Sequence, residues 1–156
     1  MKKIISVAAL GLALAACDSD NKGMNSMNDS TFSGDFVEGS NQDFKVNAGD
    51  RVFFNTNSSA LSIDAREALN KQVAWMKKYD CKKITVEGHA DERGTSEYNL
   101  ALGERRAHSV LHFIRDAGID ASRISTVSFG KERPDVMGHD EAAWSKNRRA
   151  VTVIGE

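Results

Sequence analysis

The chain has 156 residues, room for one domain of ordinary size and a short additional segment. Its 21 basic and 22 acidic residues are interspersed and leave a net charge of −1, which excludes a nucleic-acid binder built on a basic stripe. The two cysteines, Cys17 and Cys81, exclude a small domain held together by a disulfide framework.

Lys2 and Lys3 give the start of the chain positive charge, and the run from Ile4 to Ala13 is almost wholly apolar. That run is shorter than the roughly 20 apolar residues of a membrane-spanning helix and has the length of a signal-peptide core. Leu14-Ala15-Ala16-Cys17 resembles the lipobox of secreted bacterial lipoproteins. The resemblance implies cleavage after Ala16 and lipidation of Cys17, so residues 1–16 are expected to be a signal peptide. Two or more acyl chains, each contributing about 0.8 kcal/mol per buried CH2, make a stable membrane anchor. With Cys17 acylated, Cys81 has no partner for an intramolecular disulfide and is expected half-buried at a helix–strand junction.

Residues 17–47 are rich in Asn, Ser, Asp and Gly, with scattered apolar side chains at Phe32, Phe36, Val37 and Phe44. Such a composition predicts a flexible tether. Its roughly thirty residues would average about 30 Å as a relaxed coil and reach at most roughly 100 Å.

From residue 48 to 156 the apolar pattern alternates between two periods. Arg51 to Asn55 predicts a strand. A helix then opens near Ser62, with Asp64 and Glu67 at capping-box spacing and Leu61, Ala65, Leu69, Val73 and Met76 on one stripe. Ile84 to Glu87 predicts a second strand, and Gly88 to Thr95 a polar loop. A second helix is expected from Ser96 to Ala117, with Leu100, Ala107, Val110, Leu111 and Ile114 inward, and Gly118 before Ile119 suits a Schellman stop. Ile124 to Phe129 is a third strand, Gly130 to His139 a loop, Glu141 to Lys146 a short helical turn, and Arg148 to Ile154 the last strand. The order β-α-β-α-β-β predicts an α+β sandwich, one small mixed sheet with two main helices on one face.

The densest polar segment, Gly88-His89-Ala90-Asp91-Glu92-Arg93-Gly94-Thr95, falls between a strand and a helix N-terminus. Acid, base and free helix N–H groups together suit a small zwitterion; a solvated turn with local ion pairs fits the same residue types.

This segment and its continuation, Ser96-Glu97-Tyr98-Asn99 and Leu102-Gly103-Glu104-Arg105-Arg106-Ala107, resemble the OmpA-like C-terminal domain family, in particular its lipid-anchored, peptidoglycan-associated group. Gly138 to Ala150 carries the same resemblance, which covers about residues 48–156. It implies noncovalent binding of the diaminopimelate of peptidoglycan stem peptides, with no catalytic residue, no metal and no cofactor. Residue by residue, it implies that Asp91 accepts the ligand's ammonium, that Arg106 forks onto its carboxylate, and that Asn99 helps to hold it. Asn57, Phe54 and Arg148 are weaker carry-overs, and Arg105 is expected to face elsewhere. Asn55-Thr56-Asn57 departs from the family, many of whose members carry aspartates there; the change removes negative charge beside the expected site.

The resemblance further implies an outer-membrane address, the partners TolB and possible other Tol proteins, and a part in envelope integrity and cell division. Asp18, directly after the anchor, favours inner-membrane retention in enteric bacteria and competes with that address. Two rival classes are a protein-interaction module and a metal-dependent wall hydrolase. His108 and His112 have the spacing of a zinc pair, but no glutamate follows the first, and no third ligand is evident.

Overall fold

The computed structural model of the chain describes residues 37–80 and 82–155. The expected signal peptide, the lipobox with Cys17, the tether as far as residue 36, and Cys81 lie outside the described residues. Among the described residues no helix is long and apolar enough to cross a membrane.

The elements in chain order are α1 (Asn41–Asn47), β1 (Arg51–Phe53), α2 (Ile63–Lys78), β2 (Ile84–His89), α3 (Ser96–Asp116), a 3-10 turn (Ala121–Arg123), β3 (Ile124–Gly130), α4 (Glu141–Asn147) and β4 (Arg149–Ile154). The four strands form one sheet in the order β1-β4-β2-β3. β2 and β3 run parallel, and β4 is antiparallel to both β1 and β2, so the sheet is mixed as expected. Alternation along β4 turns Ala150 and Ile154 into the core, and between them Thr152 donates to Gln72 of α2 at 2.9 Å. Leu69 and Met76 of α2, Ile84 and Val86 of β2, and Val110 and Ile114 of α3 are fully covered in that core. Each such side chain contributes about 1.5–3 kcal/mol by leaving water.

Tether behaviour through residue 47 is corrected. Residues 41–47 form α1, and Phe44 is fully buried, edge-on to Trp75 at a centroid distance of 5.0 Å. Ser40 caps the helix by accepting from the Asp43 N–H at 3.1 Å. The Asp43 carboxylate in turn accepts from the Gly39 N–H at 3.0 Å and the Trp75 indole N–H at 2.9 Å. One aromatic and one acid anchor this segment, through a partner 32 residues away. Composition averaged over the segment does not register such a contact.

The other differences are local. β1 is shorter than expected, although the Phe54 N–H still donates to the Arg148 carbonyl at 2.9 Å. α2 is capped by Ser62, which accepts from the Ala65 N–H at 3.1 Å, rather than by a box at Asp64. On α3 the buried stripe is Asn99, Leu102, Gly103, Arg106, Ala107, Val110 and Ile114, whereas Leu100 is 51% exposed. Two polar side chains thus hold inward positions where hydrophobicity favoured Leu100. The end of α3 is as expected: the Ile119 N–H donates to the Ile114 carbonyl at 3.3 Å, and the Gly118 N–H to Arg115 at 2.8 Å.

α3 lies close against β2 because two glycines meet there. A Cβ on Gly88 would collide with the Gly103 carbonyl, and a Cβ on Gly103 would stand 2.8 Å from the Gly88 carbonyl oxygen. This approach brings the α3 side chains over the end of β2, where the polar loop begins.

Candidate functional site

Three segments converge at the C-terminal end of β2. They are the loop after β1 (residues 54–58), the loop from β2 to α3 (residues 90–95), and the first turns of α3. Thr95 caps α3 by accepting from the Tyr98 N–H at 3.2 Å. Asn57 adopts a left-handed backbone, φ 52°, which asparagine tolerates better than most residues. Its side-chain carbonyl accepts from the Tyr98 hydroxyl, tying the first loop to α3.

Asp91, Arg93, Asn57 and Asn99 line a cavity of about 190 Å3, closed by Thr56, Tyr98 and Leu102. A larger cleft of about 670 Å3 lies between the start of α2 and the second half of α3, away from these residues. Drug-sized ligands occupy roughly 300–1,000 Å3. The smaller cavity therefore suits the end of a side chain rather than a whole sugar or nucleotide.

Asp91 is 7% exposed and densely bonded. Its Oδ1 accepts from the Arg93 backbone N–H at 3.1 Å and from Arg93 Nε at 3.2 Å. Its Oδ2 accepts from Arg93 Nη2 at 2.7 Å and from Arg148 Nη1 at 3.4 Å. Burial alone would raise its pKa; the Arg93 and Arg148 hydrogen bonds more than offset this and hold the carboxyl below its ordinary range.

Arg106 is fully buried and donates to three carbonyls: Nε to Ser58 at 2.9 Å, Nη1 to His89 at 2.7 Å, and Nη2 to Asn55 at 3.2 Å. Its guanidinium also faces the Phe54 ring, 5.2 Å from the centroid. Burial lowers its pKa to about 10, with Asp91 acting in the opposite sense. It remains charged at neutral pH. Arg106 makes no direct ion pair with Asp91; Arg93 and Arg148 take that place. Arg148 itself donates to the Phe54 carbonyl at 3.0 Å and to Glu141 at 2.5 Å.

The structure thus gathers all six expected residues into one region, but with different access. Asp91, Asn99 and Asn57 line the cavity, whereas Arg106, Arg148 and Phe54 stand behind its wall. Asn99 donates to the Arg93 carbonyl at 2.9 Å, so it also shapes the loop. Arg105 is exposed, as expected from its neighbouring place on the helix. Among the described residues no group of three or more His, Cys, Asp or Glu side chains could hold a metal ion. His108 instead pairs with Glu104 at 3.0 Å on the exposed face of α3.

Sequence reasoning passed over Arg93. The signal was present: an Asp two residues before an Arg in a turn can accept that residue's own N–H. Its support was not legible. The Arg93 guanidinium lies 4.1 Å from the centroid of Trp144, whose indole N–H donates to Glu92 at 2.9 Å. Glu92 also bonds His139 Nδ1 at 2.8 Å.

The profile of the OmpA family matches residues 53–148. The peptidoglycan-associated lipoprotein of Agrobacterium fabrum is 49% identical over 94% of this chain and 84% of its own length. That of Brucella melitensis is 44% identical over 99% of this chain and 97% of its own. Among solved structures, the peptidoglycan-associated lipoprotein from Burkholderia pseudomallei superposes with a TM-score of 0.66 at 39% identity, covering 68% of this chain and 90% of that one. The C-terminal domain of Helicobacter pylori MotB, 21% identical with a TM-score of 0.64, shares the fold.

Proposed function

The chain belongs to the OmpA family, among the peptidoglycan-associated lipoproteins, and from that premise we propose that its folded domain grips the free diaminopimelate end of a stem peptide without cleaving it. The observation that carries this reading is the convergence of one acid and one base on a cavity the size of a side-chain terminus. That terminus presents an ammonium and a carboxylate. Asp91 is the acceptor for the ammonium, and its depressed pKa keeps it ionised throughout the neutral range.

Arg106 adds positive charge behind the wall. Three of its five N–H donors are spent on carbonyls, and its charge attracts the ligand's carboxylate from behind that wall. Asn99 and Asn57 shape the rim, Phe54 presents its ring to Arg106, and Arg148 fixes the far oxygen of Asp91.

In the cell this grip would join the outer membrane to the wall through a lipid on Cys17, within a Tol-Pal assembly in which TolB is the expected protein partner. Sedimentation with diaminopimelate-type sacculi tests the grip. Wild type is expected in the pellet, Asp91→Ala and Arg106→Ala in the supernatant, with circular dichroism verifying that both variants fold. Equal sedimentation of all three folded proteins would sink the site assignment. Membrane fractionation tests the anchor: Cys17→Ser is expected to leave a soluble or uncleaved chain, unchanged fractionation would count against lipidation, and recovery of the wild-type chain in the inner membrane would point to Asp18 as the sorting signal.

A further inference from the structure

We propose that His108 and His112 form a surface site for a single divalent ion of the Zn2+ and Cu2+ class, held by two imidazoles with its remaining positions open. The inference is independent of the wall-binding reading: it uses another face of α3 and none of the residues around Asp91.

Spacing comes first. α3 is unbroken from Ser96 to Asp116, and residues four apart on such a helix are neighbours on one face. Ala107, Val110 and Ile114 turn to the core, whereas His108 and His112 are exposed. Packing on one side therefore fixes the backbone that carries the two rings, and the rings themselves stay accessible. Their centroids lie 6.0 Å apart, with 42° between the planes. Zinc–nitrogen bonds are about 2.0–2.1 Å, which puts two imidazoles on one tetrahedral ion at a centroid distance of roughly 5 Å. Rotation about the side-chain bonds closes the remaining ~1 Å without moving the helix.

Support comes second. Glu104, one turn before His108, meets its Nε2 at 3.0 Å. A carboxylate accepts, so the ring proton stands on Nε2 and the lone pair of Nδ1 is left for a metal. A carboxylate on the far nitrogen orients a histidine ligand and makes it more basic toward the ion. Asp116, one turn after His112, adds a second negative charge at the other end of the row, shared with Arg115 at 2.8 Å.

Room comes third. His112 and Asp116 line the cleft of about 670 Å3 between the start of α2 and the second half of α3. An ion on the pair stands at the rim of that cleft, where water or a small anion can complete its coordination. The other histidines offer no such pair. His89 is 2% exposed, and His139 stands with Glu92 rather than with a second imidazole. Two ligands, with Ser109 rather than a glutamate after His108, make a binding site and not a hydrolase centre.

The test is titration of the full chain in detergent micelles with ZnCl2, CuCl2 and MgCl2, with Cys81→Ser in every sample so that no thiol competes. Calorimetry reads affinity, and NMR of the histidine ring protons reads place. One equivalent of Zn2+ is expected to shift the His108 and His112 rings together. Cu2+ is expected to bind more tightly, and Mg2+, which takes oxygen ligands, to leave both rings unmoved. The second imidazole binds as an intramolecular event, so His108→Gln and His112→Gln are each expected to weaken Zn2+ by at least about tenfold. His139→Gln is expected to leave the affinity unchanged, and Glu104→Gln to weaken it by less than either pair variant. Both paired histidines are exposed, and thermal unfolding without metal verifies that their variants fold. Zn2+ affinity unaffected by either pair variant, or Zn2+ shifting His139 alone, would overturn the site. A loss in Glu104→Gln as large as that from removing a histidine would make the carboxylate a ligand and overturn the two-imidazole assignment.

Discussion

Asp43 and Asp91 are buried to the same degree, 8% and 7% exposed, and both carboxyls are held below their ordinary pKa, yet they are held by different means. Around Asp43 the donors are neutral and fixed: the Gly39 N–H, the Trp75 indole, and the Asn47 amide at 2.5 Å. Around Asp91 they are the guanidiniums of Arg93 and Arg148, one of them partly exposed. Neutral donors within one small cluster make a joint. A cation that reaches solvent makes a place that another cation can take. Equal burial therefore goes with two kinds of partner, and the exchangeable kind surrounds the residue proposed to meet a ligand.

The largest expected effect breaks the joint. Asp43→Ala leaves the Trp75 indole and the Gly39 N–H without their acceptor and should cost about 3 kcal/mol in urea unfolding. Sacculus sedimentation of the folded variant should be unchanged. A loss of binding at unchanged stability would reverse the roles given to the two aspartates. Asp91→Asn should show the opposite profile, about 1 kcal/mol of stability and loss of the sacculus pellet. Its amide still accepts from the Arg93 backbone, and the freed Arg93 side chain goes to water.

This contrast also explains what the sequence made legible. Helix α3 and its Schellman end, the β2 alternation, and the positions of Asp91 and Asn99 follow from period, spacing and family resemblance. Helix α1 does not, because distant segments hold it: Phe44 packs on Trp75, Asp43 accepts from the Trp75 indole, and Asn41 accepts from the Ile154 N–H. Arg106 was expected on α3 beside Asp91, but its three carbonyl partners come from two other segments, which no pattern along α3 encodes. Trp144, behind Arg93, lies 52 residues beyond the Glu92 that holds it. Local order was readable; contacts between loops were not.

Acid and salt sharpen the comparison at smaller amplitude. Both folded pKa values lie below 3.8, so each carboxylate contributes stability that is present above that value and lost as pH falls through the folded one. The acid limb of the unfolding curve should be shallower in Asp43→Asn than in wild type. Salt separates the two, because screening acts on charges. In carbon-13 titrations at rising NaCl, the Asp91 pKa should climb toward its ordinary value, while that of Asp43 should move little. Equal movement of both would mean that Asp43 relies on a charged neighbour such as Lys78 rather than on its neutral donors.

The smallest effect concerns the outer tie of the same loop. Glu92 accepts from His139 and Trp144, and its hydrogen bond raises the His139 pKa above 6.5. A raised histidine pKa stabilises the fold at pH below the unfolded value and ceases to do so as pH rises through the folded one. Glu92→Gln keeps an acceptor for the indole but removes the charge, so the His139 titration followed by NMR should shift down toward the ordinary histidine value. Because Trp144 backs Arg93, the same substitution also asks how firmly that guanidinium is held. If Glu92→Gln leaves sacculus sedimentation intact, stacking alone keeps Arg93 on Asp91; if the pellet is lost while the fold is unchanged, the Glu92 bond to the indole is part of the proposed site.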